Sequence, residues 1–180
     1  MHRQIFFIFT IIVSFLFNSA GFAKSKKELD FEKLEKQVKG NLATFDKLDF
    51  DFFSKQDWTG FATTHTKNVK VYWPDGHKTE GLDKHIEDMK YMFSYAPDTR
   101  ISEHPIKIGQ GEWTAVYGIM EGTFTKPMTT PEGKVIQPTG KKFKIPMATI
   151  AHWTKEGPLD EEYLFWDNQT YMNQMGLGKQ

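Results

Sequence analysis

Residues 142–167 read KFKIPMATIAHWTKEGPLDEEYLFWD, and this stretch decides the fold. Phe143, Ile145, Met147, Thr149, Ala151 and Trp153 alternate with Lys142, Lys144, Pro146, Ala148, Ile150 and His152, the period of two that a half-buried strand requires. Glu156-Gly157-Pro158 signals a turn, and 161–167 reads as a second strand rich in aromatic residues. The first set is the more apolar, so Met147 and Trp153 are expected to line whatever the sheet encloses. His152 then points away unless a bulge reverses it.

Upstream, 100–108 and 113–125 read as two more strands about the turn Gly109-Gln110-Gly111. The connection 126–140 holds Pro127, Pro131, Gly133, Pro138 and Gly140, too broken for one element and long enough to act as a flap. The N-terminal half has a different texture. Leu34, Val38, Leu42, Phe45, Leu48 and Phe52 recur at three and four residues, which predicts a packing helix. Asp57 can cap a short helix carrying Trp58 and Phe61, and 68–73 alternates up to the turn Pro74-Asp75-Gly76. Leu82, His85, Ile86, Met89, Met92 and Phe93 return to helical spacing and stop at Ala96-Pro97. Helix, helix, strand, helix and four mostly antiparallel strands imply an α+β fold. A curved sheet wraps the helices into a cone with an internal pocket.

Of 180 residues, 23 are basic, 23 acidic and none is cysteine. That balance gives no electrostatic reason to expect nucleic acid, and Arg100 is the sole arginine after position 3. Lack of cysteine excludes thiol catalysis, thiolate metal sites and disulfide scaffolds. Residues 1–23 carry Arg3, the apolar run 5–17 and the small-residue ending Gly21-Phe22-Ala23. This is the layout of a signal peptide, and the run falls short of the ~20 residues of a membrane span. A periplasmic or secreted protein with no membrane attachment after cleavage is the expectation. The histidines at 65, 77, 85, 104 and 152 show no metal-ligand spacing, so no metal and no cofactor is expected.

The element order resembles the SnoaL-like polyketide cyclase family, of the nuclear transport factor 2-like cone fold. The motifs that carry the likeness are Trp73-Pro74-Asp75-Gly76, Glu121-Gly122-Thr123, Pro138-Thr139-Gly140 and Glu162-Tyr163-Leu164-Phe165-Trp166-Asp167 with Gln174-Met175-Gly176. The resemblance spans 42–177. With the signal peptide at 1–23, it implies a helical extension 24–40 and a cone domain 41–180. It also implies that Asp167, nine residues before Gly176, stands where the cyclases place their acid/base carboxylate. Tyr163 replaces the histidine of the family's Glu-His-Trp, with Glu162 kept before it.

If Asp167 faces inward, so do Tyr163 and Phe165, two and four residues before it. A carboxylate among aromatic rings gains proton affinity and suits proton transfer at carbon, while Tyr163 could donate to an enolate oxygen. Asp167 could equally cap the turn that follows it. His152 and Glu162 are further acid/base candidates, and Trp73, Tyr117, Met147, Trp153 and Phe165 are the expected pocket lining. Three functions compete: a cofactor-free cyclase or isomerase on a small apolar carbonyl compound, a non-catalytic module binding an apolar small molecule, and a cone filled by its own side chains. With Leu164 and Trp166 on the outer face, a homodimer is expected.

Overall fold

The protein is described by a computed structural model over residues 24–178; the expected signal peptide, 1–23, lies outside the described residues. Ser25 opens the first helix, α1 (Lys26–Lys47). Its hydroxyl accepts from the Glu28 N–H while the Glu28 carboxylate accepts from the Ser25 N–H, which satisfies two donors at the helix start. Leu29, Phe31 and Leu34 in the first half are exposed, and burial begins at Asn41 and Phe45. The helix then widens into a π-helical turn, Leu48–Phe53, closed by the Ser54 N–H donating to the Asp49 carbonyl five residues back at 3.1 Å. The wider turn buries Leu48 and Phe53, so Phe53 takes the core position that strict three-and-four spacing gives to Phe52.

The chain continues through α2 (Trp58–Ala62), β1 (His65–Tyr72), β2 (Lys78–Glu80), α3 (Leu82–Tyr95), β3 (Arg100–Gln110) and β4 (Trp113–Thr123). Asp57 caps α2 by accepting from the Gly60 N–H at 2.9 Å. Gly76, at φ +90°, makes the β1–β2 turn that a side chain would strain. The segment 126–140 carries a small hairpin, β5 (Met128–Thr129) with β6 (Val135–Ile136). Then come β7 (Lys142–Trp153), β8 (Leu159–Trp166) and α4 (Asn168–Gln174).

Six strands form one sheet in the order β2-β1-β8-β7-β4-β3. All pairs are antiparallel except β1 with β8. The helices gather on one face, giving the α+β cone. Its core includes Phe45, Leu48, Phe93, Ile145 and Trp153. Trp153 is wholly buried and its indole N–H donates to Thr114 Oγ1 at 2.9 Å, which makes it part of the packed interior rather than a cavity wall. No described helix is long and apolar enough to cross a membrane.

One irregularity determines which β8 residues face inward. At the turn, Trp153 pairs with Leu159 and both are buried; beyond it His152 pairs with Glu161, and the register slips by one residue. A bulge of this kind flips every following side chain. Ala151, Thr149 and Met147 therefore sit opposite Glu162, Leu164 and Trp166, and these three face inward. Tyr163 and Phe165 are on the outer face, the reverse of the sequence expectation, with Phe165 51% exposed. Tyr117, opposite Ala148 and in line with Phe165, is outside as well.

Candidate functional site

Between the π-helical turn, α3 and the inner face of the sheet lies an apolar cavity of about 50 Å³. Leu48, Met89, Met120 and Leu164 supply apolar wall, and Asp49, His85 and Glu162 supply the ionisable groups. The local folding explains each. Asp49 comes four residues after Phe45 and one after Leu48, on the buried stripe of the first helix, and the π turn holds it there. His85 belongs to the apolar stripe of α3 beside Met89 and Met92. Glu162 is turned inward by the β8 bulge.

One ring ties Asp49 to a second, more exposed carboxylate. His104, on β3, places Nε2 2.9 Å from Asp49 and Nδ1 2.8 Å from Asp46. Both carboxylates accept, so both ring nitrogens donate and the ring is imidazolium. Burial works against that charge, but the two carboxylates outweigh it and hold the His104 pKa above the ordinary histidine value. Burial pushes the Asp49 carboxyl up, against the pull of His104. Asp46, half-buried, also takes Lys107 as a partner. The result is a hydrogen-bonded line from cavity to surface, Asp49 to His104 to Asp46.

On the opposite wall, Glu162 is buried between two imidazoles, His85 Nε2 at 3.3 Å and His65 Nε2 at 3.5 Å from the same carboxylate oxygen. Burial opposes its ionisation, and the histidines override this and hold its pKa below the usual carboxylate range. Burial pushes His85 down, against Glu162. His65 Nδ1 lies 3.1 Å from the Phe61 carbonyl and 2.9 Å from Thr64 Oγ1. Its ring stacks on Phe61 at 4.4 Å. The ligand atoms of His65, His85 and Glu162 all lie within 4.8 Å of one another, close enough to hold a metal ion.

The residues singled out from sequence divide sharply. Glu162 and Met147 line the cavity. Trp73 stands nearer the surface, its indole N–H donating to Thr79 Oγ1 at 2.8 Å. Asp167 is exposed and caps α4, accepting from the Gln169 and Thr170 N–H groups at 2.9 and 3.2 Å. Hydrogen bonds from Thr170 and Gln169 hold its pKa below the ordinary value, where a raised one was expected. Tyr163 stacks on Tyr72 and donates to Glu161 at 2.9 Å, away from the cavity. His152 pairs with Asp160 at 2.6 Å on the outer face. Asp49, His65 and His85 were not among the sequence-derived candidates. The legible signal for two of them was a polar residue inside a helical apolar stripe; for His65 there was none.

Outside the cavity, Trp73, Tyr91, Tyr95 and Tyr171 border a surface groove of about 800 Å³, together with Thr129 and Pro131 of the 126–140 segment. Met92 and Trp166 border both spaces. The two spaces share that wall.

A family model described as SnoaL-like polyketide cyclase matches residues 46–175, and the chain belongs to that family. Among curated proteins no sequence matches. Solved structures share the fold at low identity. A candidate SnoaL-like polyketide cyclase from Jannaschia sp. CCS1 is 19% identical with a TM-score of 0.67, over 78% of this chain and 94% of that one. IdmH, a candidate polyketide cyclase from Streptomyces antibioticus, is 17% identical with a TM-score of 0.62, over 76% and 98%. An NTF2-like protein of unknown function from Burkholderia pseudomallei K96243 is 15% identical with a TM-score of 0.61, over 76% and 97%.

Proposed function

We propose that this SnoaL-like protein is an exported cyclase or isomerase that moves a proton at carbon on a small carbonyl compound, with Asp49 as the acid/base. The observation that carries this reading is the placement of Asp49 in the wall of an apolar cavity with His104 and Asp46 leading from it to the surface. A carboxyl in such a wall exchanges protons near neutrality more readily than an exposed one. The hydrogen-bonded line gives the proton a way out to solvent. Glu162 opposite supplies fixed negative charge to the site.

Size limits the substrate. Ligand pockets hold roughly 300–1,000 Å³, and the cavity holds about 50 Å³. A polyketide-sized molecule must therefore lie in the groove and enter by displacing Met92 and Trp166. Methionine's flexible side chain makes the Met92 part of that movement cheap, while Trp166 must also give up its 2.8 Å hydrogen bond to Asn168. The alternative, a non-catalytic module for an apolar molecule, draws on the aromatic groove instead of the cavity.

The experiment is proton exchange at the α-carbon of a panel of small ketones in D2O, followed by NMR. Wild type and Asp167→Asn should exchange alike, and Asp49→Asn should be slower by at least about 100-fold. Ligand binding without exchange in the wild type would favour the binding module, and an Asp49→Asn variant as fast as wild type would remove Asp49 from the chemistry.

In the same reading residues 1–23 direct export to the periplasm or medium, so that secreted protein begins at Lys24 on N-terminal sequencing. A second copy then covers the outer sheet face. Ile106, Tyr117, Ala148 and Phe165 line up across β3, β4, β7 and β8 there, with Ile106 and Phe165 each more than half exposed. Light scattering should give a dimer that Phe165→Glu converts to monomer.

A further inference from the structure

We propose that His65, His85 and Glu162 form a binding site for a divalent transition-metal ion, with Zn2+ as the ion that fits them best. Two imidazole nitrogens and one carboxylate oxygen are the donor set of open zinc sites, which leave a fourth position to water or substrate.

The distances distinguish such a site from a buried ion pair. A histidine that donates to a carboxylate closes to roughly 2.7–2.9 Å. Elsewhere in this protein histidines do so, His104 to Asp46 and Asp49 at 2.8 and 2.9 Å and His152 to Asp160 at 2.6 Å. Glu162, despite full burial, stays 3.3 Å from His85 and 3.5 Å from His65. Ligands bound at about 2.0–2.2 Å around a tetrahedral ion stand about 3.4 Å apart. The two contacts thus match two edges of a coordination tetrahedron better than they match close charge-assisted hydrogen bonds, and the third pair of ligand atoms lies within 4.8 Å.

Tautomer and burial add an independent argument. The Phe61 carbonyl can only accept, so His65 carries a proton on Nδ1 and turns Nε2 to the cluster, the nitrogen whose lone pair an ion would take. This is how metal-binding histidines are commonly oriented, with the second nitrogen tied to a backbone carbonyl. His65 Nε2 is buried and has no hydrogen-bond partner among the described residues. Packing holds His85 instead, with Phe61 and Trp73 at ring separations of 5.4 and 5.9 Å. The sequence concealed the set because its members come from β1, α3 and β8 and no two lie within one turn or one strand.

The fourth position would open onto the cavity, whose volume of about 50 Å³ admits a water or a carbonyl oxygen. There an ion would polarise a carbonyl oxygen within the cavity that Asp49 borders. Metal binding is read without any substrate, so it stands or falls separately from the cyclase reading.

The test is calorimetric titration of chelator-treated protein with Zn2+, repeated with Co2+ for its visible absorption. One ion per chain should bind, and the Co2+ spectrum should be that of a four- or five-coordinate site. Glu162→Gln and His85→Gln should each weaken binding by at least about 100-fold, while His77→Gln and His152→Gln, on the surface, should leave it unchanged. Undiminished binding in the Glu162 and His85 variants, loss in the surface variants, or no binding at micromolar Zn2+ would each overturn the proposal. Should the buried variants fail to fold, X-ray absorption of the zinc-loaded wild type decides: two imidazoles support the site, and one or none contradicts it.

Discussion

Asp49 sits in a widened helical turn against an apolar cavity, whereas Asp167 stands at the first turn of α4 against solvent, and their proton affinities move in opposite directions. Asp167 accepts from two backbone N–H groups and a threonine hydroxyl, all of which favour its charged form. Asp49 keeps 16% side-chain exposure and has one histidine as its hydrogen-bond partner. A motif's position in the chain does not by itself raise a carboxyl's proton affinity. The surroundings do, and here they favour the helix over the strand end.

Stability measurements sharpen the contrast, beginning with the buried wall. Glu162→Ala strips a buried carboxylate from two imidazoles and should cost about 3 kcal/mol or more in urea unfolding. Asp167→Ala removes only a helix cap, and its melting temperature should fall by less than that of the Glu162 variant. Equal losses would mean that the two carboxylates are not the different objects described above. A smaller effect follows from His104. Its pKa in the folded protein lies above the ordinary value of 6.5, so its charge stabilises the fold fully below that pH. The contribution fades as pH rises through the raised value. Wild type should therefore lose its advantage over His104→Gln on going from acid to mildly alkaline pH, and a constant gap between the two unfolding curves would contradict the imidazolium assignment.

Much of the fold was legible because periodicity is a local property. The alternation of Phe143 to Trp153 gave the inner face of β7, and the stripe of Leu82 to Phe93 gave α3 with His85 on its buried side. What failed was carrying one face across a bulge. From Leu159 an unbroken strand would send Tyr163 and Phe165 inward; the slip near Asp160 sends Glu162, Leu164 and Trp166 there instead. No residue between Leu159 and Glu162 announces it, since neither glycine nor proline is present. The π turn is equally silent, and it exchanges Phe53 for Phe52. Asp49 was within reach of sequence reasoning, because a carboxylate one residue from Leu48 on an apolar stripe is the anomaly that buried sites produce. The approach of His65 to His85 and Glu162 depends on how three distant elements pack, and nothing in their spacing encodes it.

On the proposed reading the acid/base group is Asp49 in the cavity wall rather than the exposed Asp167. Carboxyl-carbon NMR titration of the metal-free protein tests it without a substrate. Asp49 should titrate above the ordinary aspartate value of 3.8, while Asp167 titrates below it. An Asp49 carbon that titrates at or below 3.8, or an Asp167 carbon that titrates above it, would contradict the account.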